Sequence, residues 1–184
     1  LNSAQRSIRD RIVKVFYKSV ELNDQQVVTA VYLLTIGRSP TDSESKQVQM
    51  DFAETKNRPL SALQHAREMV QTREFNTGLA NTSDRLYQIQ SAIAAKRAAG
   101  EIPVLMAAND FQQFAADCAT SVHQITKTDE QFVDLTFLLV LSRFPSESEA
   151  SKLVPHLKNT PNRDTATKDI FVFLLNSQEF VDQR

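Results

Sequence analysis

Three histidines, one cysteine and scattered carboxylates are the residues of this sequence that could do chemistry, and their spacing limits what they can do. His65, His123 and His156 have no second histidine or cysteine at metal-ligand spacing, so no metal or other cofactor is expected. Cys118 precedes His123 by five positions, off the three-and-four spacing that brings helical neighbours together. It falls instead on an apolar stripe with Phe114 and Ile125, which reads as core rather than as an activated nucleophile. Asp51 with Glu54, Asp129 with Glu130, and Glu147 with Glu149 lie on polar stretches and read as solvated faces or helix caps. Glycines occur only at 37, 78 and 100, which leaves no glycine-rich loop to cradle a phosphate. No catalytic residue is assigned.

Arg6, Arg9, Arg11, Lys14 and Lys18 form a basic run. Arg11, Lys14 and Lys18 share one helical face, opposite Ile8, Ile12 and Phe16. Such a face could meet nucleic acid or an anionic surface. The preferred reading is a solvated face, interrupted by Asp10. With 21 basic and 22 acidic residues the net charge is −1, so no global field attracts polyanions, and nucleic acid is not expected as a partner.

The elements that must position these residues emerge from an internal repeat. A shift of 105 positions lays Leu33-Leu34, Arg38, Pro40 and Ser43-Glu44 on Leu138-Leu139, Arg143, Pro145 and Ser148-Glu149. The same ungapped shift lays Asn57-Arg58 on Asn162-Arg163 and Glu74-Phe75 on Glu179-Phe180. Between 24 and 75, 14 of 52 positions are identical, where ordinary composition gives roughly three by chance. The chain therefore reads as two copies of one unit.

Each copy predicts about four helices. The first carries Ile8, Ile12, Val15, Phe16 and Val20, or Phe111, Phe114, Ala115, Cys118, Val122 and Ile125, at one-sided helical spacing. The second starts at Asp24 or Asp129 as N-cap and is apolar almost all round from Val27 to Ile36 or Phe132 to Leu141, which predicts a central, buried helix. Gly37 suits a left-handed C-terminal turn, and Ser142 replaces it in the second copy. Pro40 and Pro145 block continuation, and Thr41-x-x-Glu44 and Ser146-x-x-Glu149 match the capping box that opens a third helix. A fourth is predicted from Leu60 or Thr165 to Glu74-Phe75 or Glu179-Phe180, and a connecting helix from Ser83 to Ala99, closed by Gly100 and Pro103. With no strand-like alternation, the fold class is all-α: two tandem four-helix units joined by a connecting helix, over 1–78, 79–103 and 104–184. The apolar stripe Leu86, Ile89 and Ile93 favours one body.

Two charged positions recur away from any cap. An arginine just past a helix C-terminus suits the negative end of the macrodipole, whereas a glutamate at a helix end needs a partner. Pairing of Arg38 with Glu74 and of Arg143 with Glu179 is expected, with Phe75 and Phe180 plugging the core beside them.

Leu141-Ser142-Arg143-Phe144-Pro145-Ser146-x-x-Glu149, followed by Leu174-Leu175-Asn176-Ser177-Gln178-Glu179-Phe180, resembles the C-terminal domain of the planctomycete cytochrome-associated family of unknown function. Ile36-Gly37-Arg38-Ser39-Pro40-Thr41 with Glu74-Phe75 is a looser version of it. A more distant similarity is to bacterial surface repeats and phycobilisome linkers. The resemblance implies an extracytoplasmic protein and supplies no catalytic residues. The family's longer members carry a Cys-x-x-Cys-His haem motif that this sequence lacks.

At 184 residues, 41% apolar and 23% charged, the chain has the composition of a cored globular protein, and no apolar run reaches the ~20 residues of a membrane span. A single cysteine precludes an internal disulfide and leaves the compartment open. A first residue that is leucine leads to the expectation of a processed product or excised domain. The function expected is non-catalytic: an interaction or scaffold domain that binds another protein or further copies of itself. The rival readings are an enzyme or ligand-binding domain with a site assembled from dispersed residues, and a pigment or haem-protein linker.

Overall fold

The computed structural model describes residues 2–18, 22–55, 57–100 and 109–183. Among these are ten helices and no strand: α1 (Ser3–Lys18), α2 (Asp24–Ile36), α3 (Asp42–Thr55), α4 (Arg58–Met69), α5 (Thr77–Ala98), α6 (Asn109–Ile125), α7 (Asp129–Leu141), α8 (Glu147–Asn159), α9 (Arg163–Leu175) and α10 (Gln178–Asp182). The all-α class read from the sequence is what the chain adopts. The expectations placed on Val20 and Pro103 lie outside the described residues.

Local sequence sets most helix ends. Asn23 caps α2 with Gln26 returning the bond to its backbone, and Ser146 with Glu149 forms the same box on α8. Asn57 and Asn162 cap α4 and α9. Asp24 and Asp129, expected as caps, are instead the first helical residues, one position inside Asn23 and Thr128. There they meet the positive helix end and pair with Arg58 at 2.9 Å and Arg163 at 2.5 Å. Gly37 closes α2 at φ +76°, and Ser142 takes the same left-handed turn at φ +55° after α7. A Cβ on Gly37 would come within 2.8 Å of the tip of the Ile125 side chain, which would have to shift, and the positive φ favours glycine there.

Three further helix ends differ from the sequence reading. The fourth helix does not run to the glutamate in either half. It ends at Met69, followed by turns, and at Leu175, where Ser177 caps the separate α10. Glu179 therefore sits in the first turn of α10, where the dipole favours a carboxylate, and Glu74 lies in a turn. The helix expected from Ser83 begins six residues earlier, at Thr77, because the Asn76 side chain accepts the Leu79 amide and opens it there.

The nearly all-apolar α2 and α7 are the buried helices, and they pack on each other. α1 lies mainly along α5, α6 mainly along α9, and α5 touches both α2 and α7. One continuous core results, running from Ile8 through Leu33, Leu86 and Phe132 to Phe171 and Phe180. At about 25 cal/mol per Å² of apolar surface removed from water, this burial is the main favourable contribution to folding.

Candidate functional site

The recurring residues converge on one cluster in each half. Arg143 donates from Nη1 and Nη2 to the two oxygens of Glu149, each at 2.8 Å. Its Nε and Nη2 donate to Glu179, again at 2.8 Å, and Nη1 also reaches the Phe144 carbonyl at 3.0 Å. Glu149 simultaneously accepts the Ser146 amide that closes the capping box. The guanidinium stands 5.1 Å from the centre of the Phe137 ring. In the other half Arg38 grips Glu44 with two bonds of 2.8 Å, reaches Glu74 at 3.2 Å and stands 5.5 Å from Tyr32. Both expected pairs, Arg38 with Glu74 and Arg143 with Glu179, are present, and each arginine also grips the capping glutamate that the sequence assigns to capping alone; Glu44 is the stronger partner of Arg38, whereas Glu149 and Glu179 hold Arg143 equally. The missed signal was the identical six-residue separation of Arg and Glu in both copies.

These contacts stitch three segments together: the turn after the buried helix, the start of the next helix, and the end of the repeat. The Arg38 and Arg143 hydrogen bonds hold the carboxyls of Glu44 and Glu149 down to about 2. Pro40 and Pro145 lie in the intervening turns, Phe180 is fully buried, and Phe75 is half-buried against the core. Both arginines are engaged by carboxylates of their own half.

The basic face of α1 is overturned. Arg11 is not solvated but wholly buried, because α5 packs over that side of α1. Its Nε donates to the Ser83 hydroxyl at 3.0 Å, and its guanidinium lies 4.5 Å from the Tyr87 ring centre. Among the described residues it forms no ion pair to a carboxylate and its Nη1 is without a partner, and burial brings the guanidinium down to about 10. Lys14 leans over the same Tyr87 ring at 4.7 Å, and Lys18 donates to the Leu141 carbonyl at 3.0 Å, at the C-terminus of α7. The three cations therefore do not share an exposed surface. A buried ion with no counter-charge is often replaced without loss by an apolar side chain. Arg11→Met is accordingly expected to match or exceed the native protein in thermal stability, and a fall of more than about 1 kcal/mol on chemical denaturation would show that the guanidinium contributes net stability.

The other candidate chemistry stays dispersed. Burial pushes the Cys118 thiol up to about 12, and the His123 ring packs edge-on against Phe132. Among the described residues no three His, Cys, Asp or Glu side chains come together to hold a metal ion. No helix among them is long and apolar enough to cross a membrane.

One residue that the sequence reading passed over stands out. Asp134 is the only charged residue in the run from Phe132 to Leu141, which is otherwise apolar but for Thr136. It is half-buried, with no hydrogen bond or ion pair among the described residues, at a cavity of about 320 Å³ walled by Gln25, Gln26, Thr29, Phe144, Pro145, Ser146, Glu147 and Ala150. Burial, helped by Glu130, pushes its carboxyl up to about 6. An acid raised in the folded state destabilises the fold once ionised, so this penalty is absent below the ordinary value near 3.8 and complete above about 6. Asp134→Asn should thus melt about 2–4 °C higher than the native protein at pH 7.5, an effect on the order of 1 kcal/mol after solvent screening. The two curves should converge at pH 4, and a constant offset across that range would contradict the assignment.

Comparison of the chain with protein-family models, with curated proteins and with solved structures finds no match.

Proposed function

We propose that this chain is a non-catalytic interaction or scaffold domain, built from two copies of one helical unit that meet through α2 and α7. The observation that carries the reading is where the recurring side chains go. Arg38 and Arg143, with Glu44, Glu149, Glu74 and Glu179, are engaged in holding turns and helix starts in place within their own halves. Duplication has preserved a folding device, which suits a module whose function is to present surfaces.

The way the copies meet supports the duplication. Gln131 of α7 donates to the Ser39 hydroxyl at 3.1 Å, while Gln26 and Phe144, the positions related to these by the 105-residue shift, line one cavity together. Thr29 and Asp134, themselves equivalent, line that same cavity. Equivalent positions facing one another in this manner are what an interface built from the same patch of both copies would produce. The partner would be another protein or a further copy of the chain, and the family resemblance favours an extracytoplasmic setting.

Affinity purification of the tagged chain from its source cells, with identification of bound proteins by mass spectrometry, tests this. A reproducibly enriched partner, lost when exposed side chains such as Tyr17 or Phe173 are replaced by serine, is the expected result. Failure to enrich any protein, with the chain monomeric at high concentration, would count against the reading. A ligand-binding domain is the second reading, and the cavity at Asp134 is the observation that favours it.

A further inference from the structure

We propose that the cavity between the start of α2 and the α7–α8 turn receives an arginine side chain of a partner protein, pairing its guanidinium with Asp134 beside Phe144. This inference rests on the interaction-domain reading and gives it a specific contact.

The chemistry of the walls points to a cation. Asp134 and Glu147 are the only charged residues lining the cavity among the described residues, and both are acidic. The neighbouring Lys158 is held by Glu130 at 3.1 Å, and Arg58 and Arg163 are held by Asp24 and Asp129. Asp134 thus has a partly desolvated carboxylate with no donor among the described residues, the state that an incoming cation relieves. Burial of that carboxyl, which raises its proton affinity, reflects the same missing partner.

The asymmetry of the two halves explains why the gap is open on this side. At the equivalent junction Ser39 accepts a hydrogen bond from Gln131, which bridges the copies. Here Phe144 occupies the position of Ser39 and has no hydroxyl to accept such a bond. It contributes an aromatic wall, continued by Pro145 and Ala150, which suits the flat face and aliphatic stem of arginine better than a compact ammonium. Gln25, Gln26 and Thr29 add polar groups at the rim. The volume of about 320 Å³ leaves room for one long side chain.

The test is an amide-resonance titration of the full chain with Nα-acetyl-arginine amide, and with the lysine and citrulline analogues. Shifts confined to residues around Thr29, Asp134 and 144–150 are expected, with the uncharged citrulline analogue at least ten-fold weaker. Asp134→Asn should weaken arginine-amide binding at least ten-fold, while Asp51→Asn, on a different surface, leaves it unchanged. Because the Asn variant is expected to be the more stable protein, loss of binding in it cannot be ascribed to unfolding. Equal binding of citrulline or lysine, full binding by Asp134→Asn, shifts elsewhere, or no shifts at all would each overturn the proposal. Uncapped arginine binding ten-fold more tightly than the amide would also overturn it, since a small molecule would then be the occupant. None of these failures touches the partner capture described above, so the site and the interaction-domain reading fail separately.

Discussion

Phe180→Ala should destabilise the protein by about 3–5 kcal/mol, while Phe75→Ala, its counterpart 105 residues earlier, should lose only about 1–2 kcal/mol. Phe180 is 1% exposed and belongs to the core that also contains Phe171 and Leu175. Removing its ring deletes a large apolar surface from contact and leaves a hole that helices on all sides cannot fill without moving. Phe75 is only partly covered, so water can enter the vacated space and the cavity penalty shrinks. For a chain of 184 residues these figures correspond to melting temperatures lower by roughly 8–15 °C and 2–6 °C. Thermal unfolding followed by helical circular dichroism makes the comparison. Equal losses would mean that the two phenylalanines seal equivalent cores after all.

The contrast between these phenylalanines also shows what the sequence could and could not reveal. Identity across the repeat points to both phenylalanines and to the pairing of each arginine with the distant glutamate, because a charge that recurs at a helix end needs a partner. It did not distinguish the halves, since burial depends on the helices that pack around each phenylalanine. After Phe75 the chain runs into the long α5, whose entry is tied to α2 by the Asn76 amide on the Thr35 carbonyl. Phe180 lies instead within the short α10, which packs on α5, α7 and α9. The burial of α2 and α7 is legible in the sequence, because helices that are apolar almost all round have no other place to go.

Arg11 was misread for a related reason. Helical periodicity says which side chains share a face, but not whether a later helix will cover the polar one. α5 does so with Ser83 and Tyr87, which carry no charge and give no electrostatic sign of their role. Asp134 gives no signal in the sequence beyond one carboxylate in an apolar run. Only the position of Phe144, Gln26 and Thr29 around it reveals a lined cavity. That cavity is thus tertiary in origin, whereas the Arg–Glu contacts recur at the same separations in both copies.

Those contacts are unequal, and their inequality sets the second large effect. Arg143→Leu should destabilise the protein by about 2–3 kcal/mol and Arg38→Leu by about 1–2 kcal/mol, between the values for exposed and fully buried ion pairs. Arg143, Glu149 and Glu179 are 25%, 31% and 36% exposed, and the arginine makes four charged hydrogen bonds to them. Glu74, in the other cluster, is 67% exposed and holds Arg38 through one longer bond, so water already screens it. Arg143→Lys should recover little, because an ammonium keeps the charge but not the planar fork that meets Glu149 and Glu179 together. The pH dependence supplies an independent check. Glu149 titrates at about 2 when folded, against an ordinary value of 4.5, so its contribution is complete above pH 4.5 and lost as the pH falls through 2. The gap in stability between native protein and Arg143→Leu, measured by denaturant unfolding, should therefore narrow steadily from pH 5 to pH 2. A gap that persists unchanged into acid would show that Arg143 acts through packing against Phe137 rather than through its carboxylate partners.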